Sequence, residues 1–179
     1  MHIPVLQSDR LTLRPFTLDD ATRVQHLAGS RAIADTTLNV PHPYEDGMAE
    51  DWISTHEAKS NDGDLTFAIT LKESGELVGA MGLRVDKPFA RGELGYWIGE
   101  PYWRRGYCTE AATRLLRFAF TELHLNRVHA YYLARNPASG RVLQKIGMSR
   151  EGIARKHTMK WDRFEDLVLC GILRGEWQQ

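Results

Sequence analysis

The sequence predicts an α/β protein: a mostly antiparallel sheet of about seven strands, one parallel pair in its middle, and about four flanking helices. Three observations predict it. Alternating segments between Thr66 and Ile98 are separated by only a few residues each, the connection that antiparallel neighbours use. A long amphipathic segment, Thr109 to about Leu123, joins a strand at Glu93–Ile98 to one at Arg127–Leu133, and a helical crossover makes such strands parallel. A second capped helix, from Asn136 to about Ile146, leads into two final strands.

The chain has 179 residues, enough for one domain spanning 1–179 with a sizeable core. Lys+Arg number 23 and Asp+Glu 23, so no generally basic surface is available for nucleic acid, although a local basic patch survives this test. Cys108 and Cys170 are the only cysteines; neither has metal-site spacing, and two free thiols suit a reducing cytoplasm. The opening M-H-I-P-V-L-Q-S-D-R holds no long apolar run, so no secretion signal is expected. No window reaches bilayer-spanning length.

The elements follow in order. Arg10–Arg14 alternates polar and apolar, a strand limited by Pro15. Thr17 opens a helix to about Ala28, with Asp19 and Asp20 favoured in its first turn and Gly29 as its stop. Arg31 to Tyr44, with Pro41 and Pro43, reads as irregular. Glu45 to Lys59 reads as one helix. This inserted segment either covers the mouth of a site or packs on one sheet face. Thr66–Leu71, Leu77–Val85 and Glu93–Ile98 form a meander, with interior glycines Gly79 and Gly82 permitting bulges and close approach. In the helix from Thr109, residues Ala111, Ala112, Leu115, Leu116, Ala119 and Phe120 make one apolar face. Asn136 and Pro137 suit the N-cap and first position of the next helix, and Gly147 its C-terminal stop. Met148–Ala154 and Asp166–Leu173 are the last strands, separated by a polar turn near Asp162.

The chemistry concentrates in E-L-G-Y-W-I-G-E-P-Y-W-R-R-G-Y-C-T-E, Glu93 to Glu110. It places Arg104, Arg105 and Gly106 on a loop between a strand end and a helix N-terminus. Free N–H groups and a partial positive charge at that point bind anions, phosphates especially. The residues alone therefore indicate a pyrophosphate site. Cys108 could be an activated thiol, but no His and acid stand near it in sequence, so a small packing residue is the expected role.

This stretch, followed by N-P-A-S-G-R-V-L-Q-K-I-G-M-S-R-E-G from Asn136, resembles the GNAT superfamily of acyl-CoA-dependent N-acetyltransferases, and within it the RimJ/RimL-type branch. The resemblance covers Leu11 to about Leu173. It implies a central parallel pair splayed to bind acetyl-CoA, and acetyl transfer to a primary amine by direct attack in a ternary complex. The family's Gln/Arg-x-x-Gly-x-Gly/Ala pattern falls on Trp103, Gly106 and Cys108. The implied cofactor contacts are Ile98, Trp103, Arg104, Arg105, Gly106, Tyr107, Cys108, Thr109, Asn136 and Ser139. Ser139 is implied as a donor to the leaving thiolate, with a plain ligand-contact role left open. The oxyanion donor is expected among the backbone N–H groups of Glu93–Ile98 where that strand leaves its partner.

The base stays open. The branch carries a Glu where this chain has Thr158, with His157 beside it, so the candidates are Glu93, His157 or a water chain. His42, Tyr44, Trp52 and Trp97 could shape the acceptor side, whereas His129 reads as a packed strand residue. The expected partners are acetyl-CoA as co-substrate and an amine acceptor. The acceptor is a protein or peptide α-amine, or alternatively a small amine such as an amino acid, polyamine or antibiotic; a non-catalytic acyl-CoA-binding module is a third reading. Neither metal, nucleic acid nor membrane is expected, a homodimer is left open, and the location expected is cytoplasmic.

Overall fold

The computed structural model describes residues 3–178; Met1 and His2, which begin the segment read for a secretion signal, and Gln179 lie outside the described residues. Eight strands form one sheet: β1 (Leu6–Gln7), β2 (Leu11–Arg14), β3 (Asp64–Leu71), β4 (Leu77–Asp86), β5 (Arg91–Ile98), β6 (Arg127–Leu133), β7 (Ser149–Lys160) and β8 (Arg163–Leu173). Their spatial order is β1-β2-β3-β4-β5-β6-β8-β7. Among the described residues only β5 and β6 pair in parallel. The helices are α1 (Ala21–Ala28), α2 (Arg31–Thr36), α3 (Met48–Ser54), α4 (His56–Asn61), α5 (Tyr107–Thr121) and α6 (Pro137–Lys145).

The predicted class holds, with one strand more than expected and two changes in the inserted segment. Arg31–Thr36 is helical, because the Ser30 hydroxyl accepts the Ala32 N–H and Ile33 and Ala34 are buried. The helix expected over 45–59 is two. Ser54 and Thr55 turn their hydroxyls back onto the Asp51 and Trp52 carbonyls, at 2.7 Å each, and the helix breaks there. The last hairpin is longer than its apolar stretch. Lys160 pairs with Arg163 around Trp161 and Asp162, both at positive φ, as a tight hairpin turn requires. A bulge between Ala154 and Thr158 disrupts the alternation that would have shown β7 to run on. Within the bulge the Lys156 N–H donates to Asp166 Oδ1 at 2.7 Å.

Sheet alternation separates two faces. Phe67 meets Phe118 of α5 edge-on at 6.4 Å, which puts α5 on the face of Phe67, Met81, Leu94 and Tyr96. Thr66, Gly82, Glu93, Gly95 and Trp97 point to the other face. Gly79 has no room for a side chain: a Cβ there would lie 2.3 Å from the Trp97 carbonyl oxygen. At the start of α4, His56 is buried in an aromatic cluster with Trp52 (4.5 Å) and Phe16 (5.3 Å), and neither ring nitrogen has a hydrogen-bond partner.

Burial, with Lys59 adding to it, pushes His56 from its ordinary 6.5 down to about 4. The imidazole is thus neutral when folded, while the unfolded chain gains a proton below about 6.5. Its contribution to stability is complete above that pH and declines as pH falls toward the folded value, by on the order of 2 kcal/mol at about pH 5. Denaturant unfolding of the wild type and His56→Phe across this range should show a shallower pH slope in the variant. Parallel slopes would refute the burial argument.

Candidate active site

The parallel pair opens almost at once. β5 and β6 are in register only at Arg91–Arg127, Gly92–Val128 and Glu93–His129. Beyond these, β6 continues beside β8 and β5 beside β4. The Gly99 N–H donates to the Val78 carbonyl, and the Asn126 N–H to the Ala90 carbonyl. Peptide groups alternate along a strand, so those of Leu94, Tyr96 and Ile98 face the gap left by β6. A splayed edge of this kind offers donors to a ligand laid along it. The Ile98 carbonyl is taken by Trp103 Nε1, at 2.5 Å, which ties the following loop to the strand end.

Arg104 (φ 63°) and Gly106 (φ 81°) both adopt the left-handed conformation, and Gly106 is the N-cap of α5. The helix's first backbone bond runs from the Glu110 N–H to the Gly106 carbonyl, leaving the N–H groups of Tyr107, Cys108 and Thr109 without helical acceptors. Trp103, Arg104, Arg105 and Gly106 are exposed. Glu110 holds the turn from behind. It accepts from Ser8 Oγ and the Arg10 N–H at 2.8 Å and from Arg10 Nε at 2.7 Å, while Arg10 Nη1 donates to the Arg105 carbonyl at 3.1 Å. Partial burial pushes Glu110 up, but these donors outweigh it and hold the carboxyl below its ordinary range. Cys108 is not an activated thiol, since burial pushes it upward.

A cavity of about 540 Å³ lies where the strands part, between the Gly82–Gly95 face of the sheet, α1, α3 and the 37–41 loop. Tyr44, Trp52 and Trp97 line it, as expected; His42 does not. The inserted segment therefore both packs on the sheet and forms the cavity wall. Lys160, buried, donates to the carbonyls of Leu38 (3.3 Å) and Val40 (3.1 Å) and so fastens that loop to the end of the β7–β8 hairpin. Asn136 Nδ2 donates to the Thr36 carbonyl at 3.2 Å, while its Oδ1 caps α6 by accepting the Ser139 N–H at 3.3 Å.

The structure brings Ser139 and Glu93 to this cavity and leaves His157 apart, exposed on edge strand β7. Glu93 also lines an outer groove of about 660 Å³ with Arg84 and His129. The His129 imidazole, with Nε2 3.8 Å from Glu93 Oε2, draws the carboxyl below its ordinary range; burial acts the other way and Arg84 adds to the lowering. Asp51 is the other charged residue among those lining the cavity. Sequence reasoning missed Asp51 and the Tyr96–Ser139 contact, in which the two hydroxyl oxygens stand 2.8 Å apart. Alternation told which face Tyr96 takes, but not that a residue 43 positions later would meet it there. No cluster of three or more His, Cys, Asp or Glu arranged for a metal occurs among the described residues, and no described helix is long and apolar enough to cross a membrane.

An elongated ligand with an anion at one end has donors along the gap and at the head of α5. Residues 10–149 match the model of the acetyltransferase (GNAT) domain. The chain is 30% identical over 175 residues to an uncharacterized N-acetyltransferase, p20, of Bacillus licheniformis, covering 96% of this chain and 97% of that one. It is 25% identical over 178 residues to the [ribosomal protein uS5]-alanine N-acetyltransferase of Escherichia coli, covering 96% and 92%. The fold superposes on Mycobacterium smegmatis RimJ, solved with CoA-disulfide, with a TM-score of 0.89 at 22% identity, covering 99% of this chain and 90% of that one. The chain belongs to the GNAT acetyltransferase family and is an N-acetyltransferase with ribosomal-protein acetyltransferases among its relatives.

Proposed function

We propose that this enzyme acetylates a cationic primary amine that carries no carboxylate beside it, most simply the N-terminal α-amine of a protein or peptide. The observation that carries this reading is the charge in the acceptor cavity. Of its lining residues only Asp51 and Glu93 are charged, both are acidic, and aromatic rings from Tyr44, Trp52 and Trp97 complete the wall. An ammonium group is favoured there by charge and by aromatic faces. A free amino acid would bring its own carboxylate into a site with two carboxylates and no lining cation, whereas a peptide has an amide at that position. A polyamine satisfies the same charges and is the second reading.

In the reaction, acetyl-CoA lies along the gap, with its pyrophosphate at the N–H groups of Tyr107, Cys108 and Thr109 near Arg104 and Arg105, and its arm beside Asn136. Glu93 pairs with the incoming ammonium. Being held ionised, it does not keep the proton but passes it to water in the outer groove. The neutral amine nitrogen bonds to the thioester carbonyl carbon, and a strand N–H from β5 stabilises the oxyanion. The nitrogen then releases its second proton to water as the C–S bond breaks; that bond's electron pair stays on sulfur, and Ser139 donates a hydrogen bond to the thiolate.

A thiol-release assay with acetyl-CoA tests the acceptor class across three groups: short peptides with free N-termini, polyamines, and free amino acids. Peptide turnover with the amino acids silent is expected. Turnover of polyamines alone would replace the peptide reading, and efficient turnover of free amino acids would overturn the charge argument.

A further inference from the structure

We infer that Tyr96 is a positioning residue for the leaving-group donor: its phenol donates to Ser139 Oγ and so turns the serine's own proton into the cavity, toward the departing sulfur. This rests on the reading that Ser139 faces the thiolate. A serine hydroxyl has a single proton and rotates freely unless something holds it. The Tyr96 oxygen lies 2.8 Å from Ser139 Oγ and 3.2 Å from the Ser139 carbonyl oxygen. Two arrangements fit these distances. In one, Ser139 donates to Tyr96 and Tyr96 donates to the carbonyl, so the serine proton is consumed. In the other, Tyr96 donates to Ser139 Oγ and the serine proton is free to point elsewhere.

A negative sulfur in the cavity favours the second arrangement, because each bond in the chain phenol, serine, thiolate polarises the next. Tyr96 suits the donor role. It projects from β5 beyond the Glu93–His129 pair, where β6 no longer faces it, and burial keeps the phenol protonated. The acceptor side is also held in place. The Ser139 N–H is fixed on Asn136 Oδ1, and the next residue, Gly140, lets the Tyr132 phenol pack against the helix: a Cβ there would lie 2.7 Å from the ring and displace it. Neither hydroxyl loses its proton in this scheme, and coenzyme A leaves as a thiolate stabilised by a hydrogen bond.

The test needs no knowledge of the acceptor. Coenzyme A is bound to the full chain, its affinity is measured by calorimetry, and ionisation of its thiol is followed by thiolate absorbance against pH. An ordinary thiol ionises near 8.5, and a hydrogen bond to the anion should lower this by about one pH unit in the wild type. Ser139→Ala should restore the free value. Tyr96→Phe should recover about half of the difference, with affinity unchanged within about twofold. Fluorotyrosine at position 96 keeps the shape and strengthens the donor, so it should lower the thiol value further; it serves as the test if Tyr96→Phe does not fold. A Tyr96→Phe protein with the wild-type value, beside a shifted Ser139→Ala, would overturn this inference alone. No shift in either variant would overturn the role of Ser139 and the inference with it. Failure of the wild type to bind coenzyme A would overturn the cofactor site itself.

Discussion

Gly106→Asp is expected to weaken coenzyme A binding by at least about a hundredfold, the sum of a strained backbone and a carboxylate set against a phosphate. Gly106 sits at φ 81°, where side chains other than glycine cost free energy. Its peptide begins the turn whose next three N–H groups have no helical acceptor. The two contributions separate experimentally. Space is not the obstacle, since a Cβ would meet only Arg10 Nη2, at 3.4 Å. Asparagine tolerates the left-handed conformation and matches aspartate in shape, so Gly106→Asn reports the backbone cost and the Asp/Asn ratio reports the charge. Calorimetric titration should place Asn between wild type and Asp. Equal affinities for Asn and Asp would mean that no phosphate approaches this turn.

The second large effect falls on the acceptor. Glu93→Gln should raise the KM for the amine by about tenfold, the cost of losing one charged contact of about 1.5 kcal/mol, while acetyl-CoA affinity stays within about twofold. The pH dependence sharpens this. His129 and Arg84 hold Glu93 below the ordinary carboxylate range against the opposing push of burial, so its charged form is present throughout the neutral range. The carboxylate's contribution is therefore complete there and is lost only in acid. The rise of kcat/KM with pH should follow the acceptor's own ionisation, levelling near 8 for a peptide α-amine and near 10.4 for a lysine-like amine. A limb near neutrality that vanishes in Glu93→Gln would show that Glu93 titrates as a conventional base, contrary to the anchoring role argued here.

Much of this molecule was legible in the chain because the controlling physics is local. Alternation placed the meander, the crossover segment made β5 and β6 parallel, and Asn136-Pro137 marked the start of α6, whose cap is the side chain of Asn136 itself. The loop at the head of α5 was legible for the same reason: Gly106 at the N-cap and the two arginines before it are neighbours in the chain. The elements misread were those whose stability comes from elsewhere. The six residues of α2 are too few to be helical unaided, and stand because Thr36 accepts from Asn136, Asp35 pairs with Arg135 at 3.0 Å, and Arg31 lies over Trp161. The tail of β7 carries no alternation and is shaped by its pairing with β8.

The site divides in the same way. Local sequence determined the loop at the head of α5, because Arg104, Arg105, Gly106 and the first helical N–H groups are neighbours in the chain. Only the tertiary structure decided the rest: that His157 is kept on an outer strand, that Glu93 stands between the cavity and the groove, and that Tyr96 and Ser139 share a proton-bearing contact. Each depends on how far β6 diverges from β5 and on where the 37–41 loop is pinned, and those are sums of contacts across a hundred residues that no short stretch encodes.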